Sequence, residues 1–232
     1  MVVFNKGEGN MKVFKAFTLA EVLITLGIVG VISAMTIPSL MFNIRERETV
    51  SKLQTTHSIL TQAIRLAEQE NGDASGWVSS YWSSSDAISI AEKLKPHLKI
   101  LSDCGVNDTE QTCIKKTYKR RNGQPHDIKY GTDTRYYKVV LMNGTAIWWK
   151  STDEGERKGG TYIEIFIDTN GENLPNQLGS DLFIFSYEDG TLKPFGSPNS
   201  IYPYTSHCIP KSSTGYGCAY YVIQNRNLNY LR

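Results

Sequence analysis

An excess of charge of one sign is missing from this chain. Its 25 Lys and Arg stand against 23 Asp and Glu, so no whole-protein field draws it to nucleic acid or an anionic membrane. Any such attraction must come from a local patch. Internal repeats and a glycine-rich phosphate loop are also absent. The four histidines, His57, His97, His126 and His207, are scattered without the spacing of a metal site or a Ser-His-Asp triad. No catalytic constellation is visible, and the chain is not expected to be an enzyme. Cysteine is scarce: four residues form two close pairs, Cys104 with Cys113 and Cys208 with Cys218. Neither pair has the CxxC spacing of a zinc site. Paired cysteines point to an oxidising compartment outside the cytoplasm. Three disulfide connectivities are open, and the two local loops are the favoured one.

Charge is scarcest near the start. Between Phe17 and Ile44 the only charged side chain is Glu21. A helix of that length exceeds the roughly 20 residues that cross a bilayer core about 30 Å thick. From Arg45 to the end no second stretch could span a membrane, so the body lies on one side of it. Basic residues flank the run evenly, with Lys6, Lys12 and Lys15 before it and Arg45, Arg47 and Lys52 after it, so charge does not choose the side.

The order of segments predicts an α+β fold. Residues 1–16 are short, polar and basic and read as a leader. Residues 17–44 form the membrane-spanning half of a helix whose amphipathic half, 45–72, continues through Val50, Leu53, Ile59, Leu60, Ala63, Ile64 and Ala67. Asn71-Gly72 supplies its stop, and Pro38 is expected to kink or loosen it. Residues 73–134 read as a connector with the first cysteine pair and a short helix from Ala87 to Leu94, capped by Asp86. Residues 135–195 read as four or five antiparallel strands, beginning with a hairpin around Asn143-Gly144. One face of that sheet is expected to pack on the amphipathic half-helix. Residues 196–232 read as an irregular tail pinned by the second cysteine pair.

The segment from Lys15 to Pro38, KAFTLAEVLITLGIVGVISAMTIP, resembles the processing site and N-terminal helix of type IV prepilins and type II secretion pseudopilins. Lys15, Ala16, Phe17, Thr18, Leu19 and Glu21 fill the positions of that motif, with Ala16 where the family more often has Gly. The resemblance implies a pilin-like fold, cleavage between Ala16 and Phe17 by a membrane aspartyl prepilin peptidase, and methylation of the new Phe17 amine. It further implies a single-pass protein of the bacterial inner membrane, its C-terminal domain outside the cytoplasm. Such a subunit would contact lipid and an inner-membrane assembly platform and polymerise with other pilin or pseudopilin subunits into a pilus or pseudopilus. Glu21 would then pair with the Phe17 amine of a neighbour, and Pro38 would ease the helix change on assembly. Two rival readings are a secretory signal cut after Ile32-Ser33-Ala34 and a single-pass anchor that is never processed.

Two further clusters invite a functional reading. Asp168-Thr-Asn170-Gly171-Glu172 sets oxygen ligands on alternate residues, with Asp181 nearby, which is the local pattern of a calcium loop. A glycine-rich turn between strands explains the same letters. Lys115, Lys116, Lys119, Arg120 and Arg121 around Tyr118 form the one basic cluster. It is a DNA-binding candidate of the kind competence pilins use, or a solvated face.

Overall fold

The computed structural model describes residues 17–79, 82–114, 117–152, 162–188, 190–209 and 213–231. The chain divides into two compact units, Met1–Arg45 and Glu46–Arg232. The division falls one residue beyond the end of the apolar run. Helix α1, Leu19–Asn71, contributes to both.

In the first unit α1 is exposed nearly all round. Leu23, Ile28, Ile32 and Ile37 each expose more than half of their surface, and the helix is long and apolar enough to cross a membrane. Thr25 and Thr36 turn their hydroxyls onto the carbonyls of Val22 and Ile32, so neither demands water. The helix continues through Pro38.

In the second unit the buried positions of α1 are Glu46, Val50, Leu53, Thr56, Leu60, Ala63, Ile64 and Ala67. Apart from the adjacent Ala63 and Ile64, successive positions lie three or four residues apart and make one stripe. The helix stops where expected: Gly72 takes φ +78° and its N–H bonds the Glu68 carbonyl. Helix α2 spans Ser84–Leu94, and its N-cap is Ser83 rather than Asp86. Asp86 sits inside the first turn, where Oδ1 accepts from the Ser79 N–H at 3.1 Å.

Six strands form an antiparallel meander in sequence order: β1 Ile100–Gly105, β2 Tyr137–Leu141, β3 Ala146–Thr152, β4 Tyr162–Asp168, β5 Leu182–Glu188 and β6 Thr191–Pro194. The extra strand is β1, an edge strand with two register shifts that lies in the presumed connector. The β2–β3 hairpin turns at Asn143-Gly144, with Gly144 at φ +79°.

Both faces of the sheet are covered. Tyr137, Val139, Ile147, Trp149, Ile165 and Phe185 face a core shared with α1 and α2, where the Trp149 indole donates to the Ala87 carbonyl at 3.0 Å. Trp148, Phe166 and Ile184 face a second core with Tyr118, Tyr130, Tyr136 and Phe195. Double coverage explains why β3 and β5 are buried at almost every position instead of at alternate ones. The tail packs mainly into the first core, through Cys218, Ala219, Val222, Leu228 and Tyr230, with Tyr202 and Tyr216 against the second, and it is not wholly irregular: α3 spans Tyr204–His207 and α4 spans Cys218–Asn225.

Candidate functional site

The head of α1 is built as a capping box. The Thr18 N–H and hydroxyl both donate to Glu21 Oε2 at 2.8 Å, and the Glu21 N–H donates to the Thr18 hydroxyl at 3.2 Å. This satisfies two donors at the helix start and fixes the Glu21 rotamer. Glu21 Oε1 has no partner among the described residues. Phe17 is 86% exposed, and Ala16 and the rest of the presumed leader lie outside the described residues.

The presumed calcium loop contains a buried acid pair. Asp168, at the end of β4, and Asp181, just before β5, are 0% and 1% exposed. Asp168 Oδ2 accepts from the Tyr118 hydroxyl at 2.7 Å, and Oδ1 accepts from the Asn170 and Gly171 N–H groups at 3.2 and 3.0 Å. Asp181 Oδ2 accepts from the Asn176 N–H at 2.7 Å and from Asn170 Nδ2 at 3.2 Å, and Oδ1 from the Gln177 N–H at 2.6 Å. Asn170 therefore touches both acids. Burial raises both carboxyls: Asp168 goes well above the usual range, raised further by Asp181, and Asp181 goes to about 6. Among the described residues, the side-chain oxygens Asn170 Oδ1 and Asn176 Oδ1 are buried without a hydrogen-bond partner.

Carboxylate and amide oxygens are the donor types that a hard cation such as calcium takes. Glu172, counted among the ligands from sequence, has an exposed side chain and does not join the buried set. Asn176 and Tyr118 take part unforeseen. Asn176 had a local signal, the Pro175-Asn176 turn. Tyr118 had none, since it lies 50 residues from Asp168.

Both cysteine pairs close as local loops, Cys104 with Cys113 and Cys208 with Cys218. Asp108 lies beside the first bridge, but bridged sulfurs are not metal ligands, and its carboxylate accepts from the N–H groups of Thr112, Cys113 and Ile114.

The described residues of the basic cluster do not form one surface. Lys115 and Lys116 lie outside the described residues, Tyr118 is buried, and Arg120 pairs with Asp127 at 3.3 Å. Arg121 donates to the carbonyls of Ile209 and Tyr230 and lies over the Tyr230 ring. Of the described cations in it, Lys119 is exposed and Arg120 and Arg121 are partly buried.

His126 is held neutral beneath this layer. Its Nδ1 accepts from the Ile128 N–H and Nε2 meets the Tyr216 hydroxyl at 2.7 Å. Burial, with Arg120 adding to it, lowers the imidazole to about 4. An unfolded histidine titrates near about 6.5, so the folded chain binds fewer protons, and stability present above that pH is lost as pH falls toward 4. Asp181 acts with the opposite sign in the same range. We therefore expect the melting temperature to drop more between pH 6.5 and 4 in the parent chain than in His126→Gln; equal drops would refute this.

No protein family matches this chain, and no curated protein or solved structure matches it either.

Proposed function

We propose that this chain is a structural subunit of the type IV pilin and type II secretion pseudopilin kind. It is cut between Ala16 and Phe17 by prepilin peptidase and methylated on Phe17. It waits in the bacterial inner membrane as a single-pass protein with its C-terminal domain outside the cytoplasm. An assembly platform then polymerises it through α1 into a pilus or pseudopilus.

The observation that carries this reading is the exposed, apolar first half of α1 with one carboxylate at its head. Such a helix needs a membrane before assembly and other helices after it, and a chain that polymerises through its membrane anchor has use for both. The two disulfides support a body outside the cytoplasm. Mass spectrometry of the protein recovered from cells tests the reading. The expected N-terminal peptide begins at N-methylated Phe17. A retained leader, or a start after Ala34, would overturn it in favour of an unprocessed anchor or a secreted protein.

A further inference from the structure

Beyond the aromatic residues of the second core, the same face of the sheet turns polar. Lys150, Glu164, Ser186 and Lys193 follow one another across β3, β4, β5 and β6 in register, with Lys150 Nζ 3.1 Å from Glu164 Oε2. Side chains alternate along a strand, so Ser186 shares this face with Ile184 of the second core and with Glu188. Its hydroxyl donates to Glu188 Oε1 at 3.3 Å. At the β5–β6 end of the row, the strands, the loop after β6 and α4 frame an open cleft of about 520 Å³, within the roughly 300–1,000 Å³ of small-ligand sites. Ser186, Glu188 and Lys193 line it from the strands, residues of the loop 197–201 from one side and Tyr220 from α4. The loop is fastened in place. The Ser200 N–H and hydroxyl donate to the Ser197 carbonyl at 3.0 and 2.8 Å, and Tyr220 stacks on Tyr204 at 5.7 Å.

The chemistry of the lining selects the class of ligand. Glu188 and Lys193 stand 3.9 Å apart, longer than a hydrogen bond, and balance each other in charge. An anion would meet Glu188 and a cation Lys193, so neither gains from the cleft as a whole. A wholly apolar ligand would strip water from both charges. An extended peptide needs backbone partners, and the carbonyls beside the cleft are taken: Leu192 accepts from His57 Nε2 at 3.1 Å, Phe195 from the Tyr220 N–H and Gly196 from the Tyr204 N–H, each at 2.9 Å. Neutral hydrogen-bonding groups remain. Among the described residues the Ser197 hydroxyl, the Asn199 amide and the Tyr220 hydroxyl have no hydrogen-bond partner, and the Ser200 hydroxyl, already donating, can still accept. Apolar surface from Phe195, Ile201 and the Tyr220 ring lies among them. A sugar ring has this character, with hydroxyls around its edge and C–H groups on its faces. Two neighbouring hydroxyls can donate to a carboxylate and accept from an ammonium together.

We infer that this cleft binds one ring of a neutral saccharide. Glu188 and Lys193 take a pair of neighbouring ring hydroxyls, Ser197 and Asn199 take others, and Ile201 with Tyr220 covers a C–H face. The cleft holds the sugar and does not cut it, because glycoside hydrolysis takes two carboxyl groups and Glu188 is the one acid among the described lining residues. Only the folded body is needed, so this binding goes beyond the filament reading and does not rest on it.

The test uses the full chain in lauryldimethylamine oxide micelles, whose head group carries no sugar. Saturation-transfer NMR is recorded with D-glucose, D-galactose, D-mannose and N-acetyl-D-glucosamine in turn, each at about 10 mM, about ten times a millimolar dissociation constant. Hydrogen exchange then maps the sugar that binds. At least one sugar should receive saturation and slow exchange in peptides covering 186–201, while α2 is unchanged. Asn199→Ala, at an exposed loop position, should weaken binding about tenfold through the hydrogen bonds it loses. Trialanine and inorganic phosphate at the same concentration should leave those peptides unchanged. Saturation of none of these sugars would overturn the site, as would parent-level binding by the variant or protection elsewhere than 186–201. Protection by trialanine or phosphate as strong as the sugar's would overturn the saccharide assignment. The exchange map of the parent chain decides the location even if the variant does not fold.

Discussion

Glu21→Ala is expected to insert in the membrane as well as the parent and to yield less than a tenth of its sheared filament. A carboxylate inside an apolar helix costs up to about 3 kcal/mol on insertion, so the alanine removes a penalty. The capping box is lost at the same time, at about 1 kcal/mol of helix-end stability, and the rest of α1 is long enough to tolerate that. What the alanine cannot replace is a negative charge at the helix head. With Oε2 held by Thr18, Oε1 is the oxygen that would receive the Phe17 amine of a neighbouring subunit in the proposed filament. A buried carboxylate with one ammonium partner is far less costly than one without, and in the proposed filament the pairing would set the register between copies. Thr18→Val, which removes the hydroxyl contacts but keeps the charge, should assemble measurably better than Glu21→Ala. Parent-level filaments from Glu21→Ala would defeat the pairing.

Gly196→Ala should destabilise the globular unit by about 3 kcal/mol, the upper range for overpacking with backbone strain. Gly196 follows β6 at φ +113°, and a Cβ there would lie 1.9 Å from the carbonyl oxygen of Gly217, the residue before α4. That obstacle is backbone, so no side chain can step aside. The neighbouring bonds, Tyr204 N–H to the Gly196 carbonyl and Tyr220 N–H to the Phe195 carbonyl, each 2.9 Å, would be pushed apart together. Denaturant unfolding measures the loss, and a change under about 1 kcal/mol would mean the tail relaxes around the methyl group.

Local signals were legible wherever a short stretch of chain contains its own reason. Gly72 and Gly144 sit at positive φ, one ending a helix and the other turning a hairpin, and both are readable from their asparagine neighbours. Legibility failed where several residues could do one task. Ser83, Ser84, Ser85 and Asp86 are all good caps, and the Ser79 N–H and hydroxyl both donate to Asp86 inside the first turn. It failed too for β1, Ile-Leu-Ser-Asp-Cys-Gly, whose mixed letters gain a ladder only because β2 offers an edge, and for α4, where aromatic and β-branched residues fold as a helix against the sheet.

Polar residues inside the fold were the least legible. Lys138 is 0% exposed, with Nζ donating to the carbonyls of Val106 and Asp133 at 2.6 and 2.8 Å. Nothing in its neighbours foretells that. The candidate cation loop stands between the extremes: Asp168, Asn170 and Asp181 were readable as alternating oxygen ligands, yet Glu172 was indistinguishable from them until burial separated it.

The sequence by itself determined the long helix, its apolar first half with Glu21 at the head, and the meander, because these rest on periodicity and on turn residues that act within a few positions. Only the tertiary structure decided that both faces of the sheet are covered, and that Tyr118, Asn176 and Tyr230 meet around one loop with two buried acids. Those contacts join residues far apart along the chain, and the energy of burying a charge depends on everything packed around it.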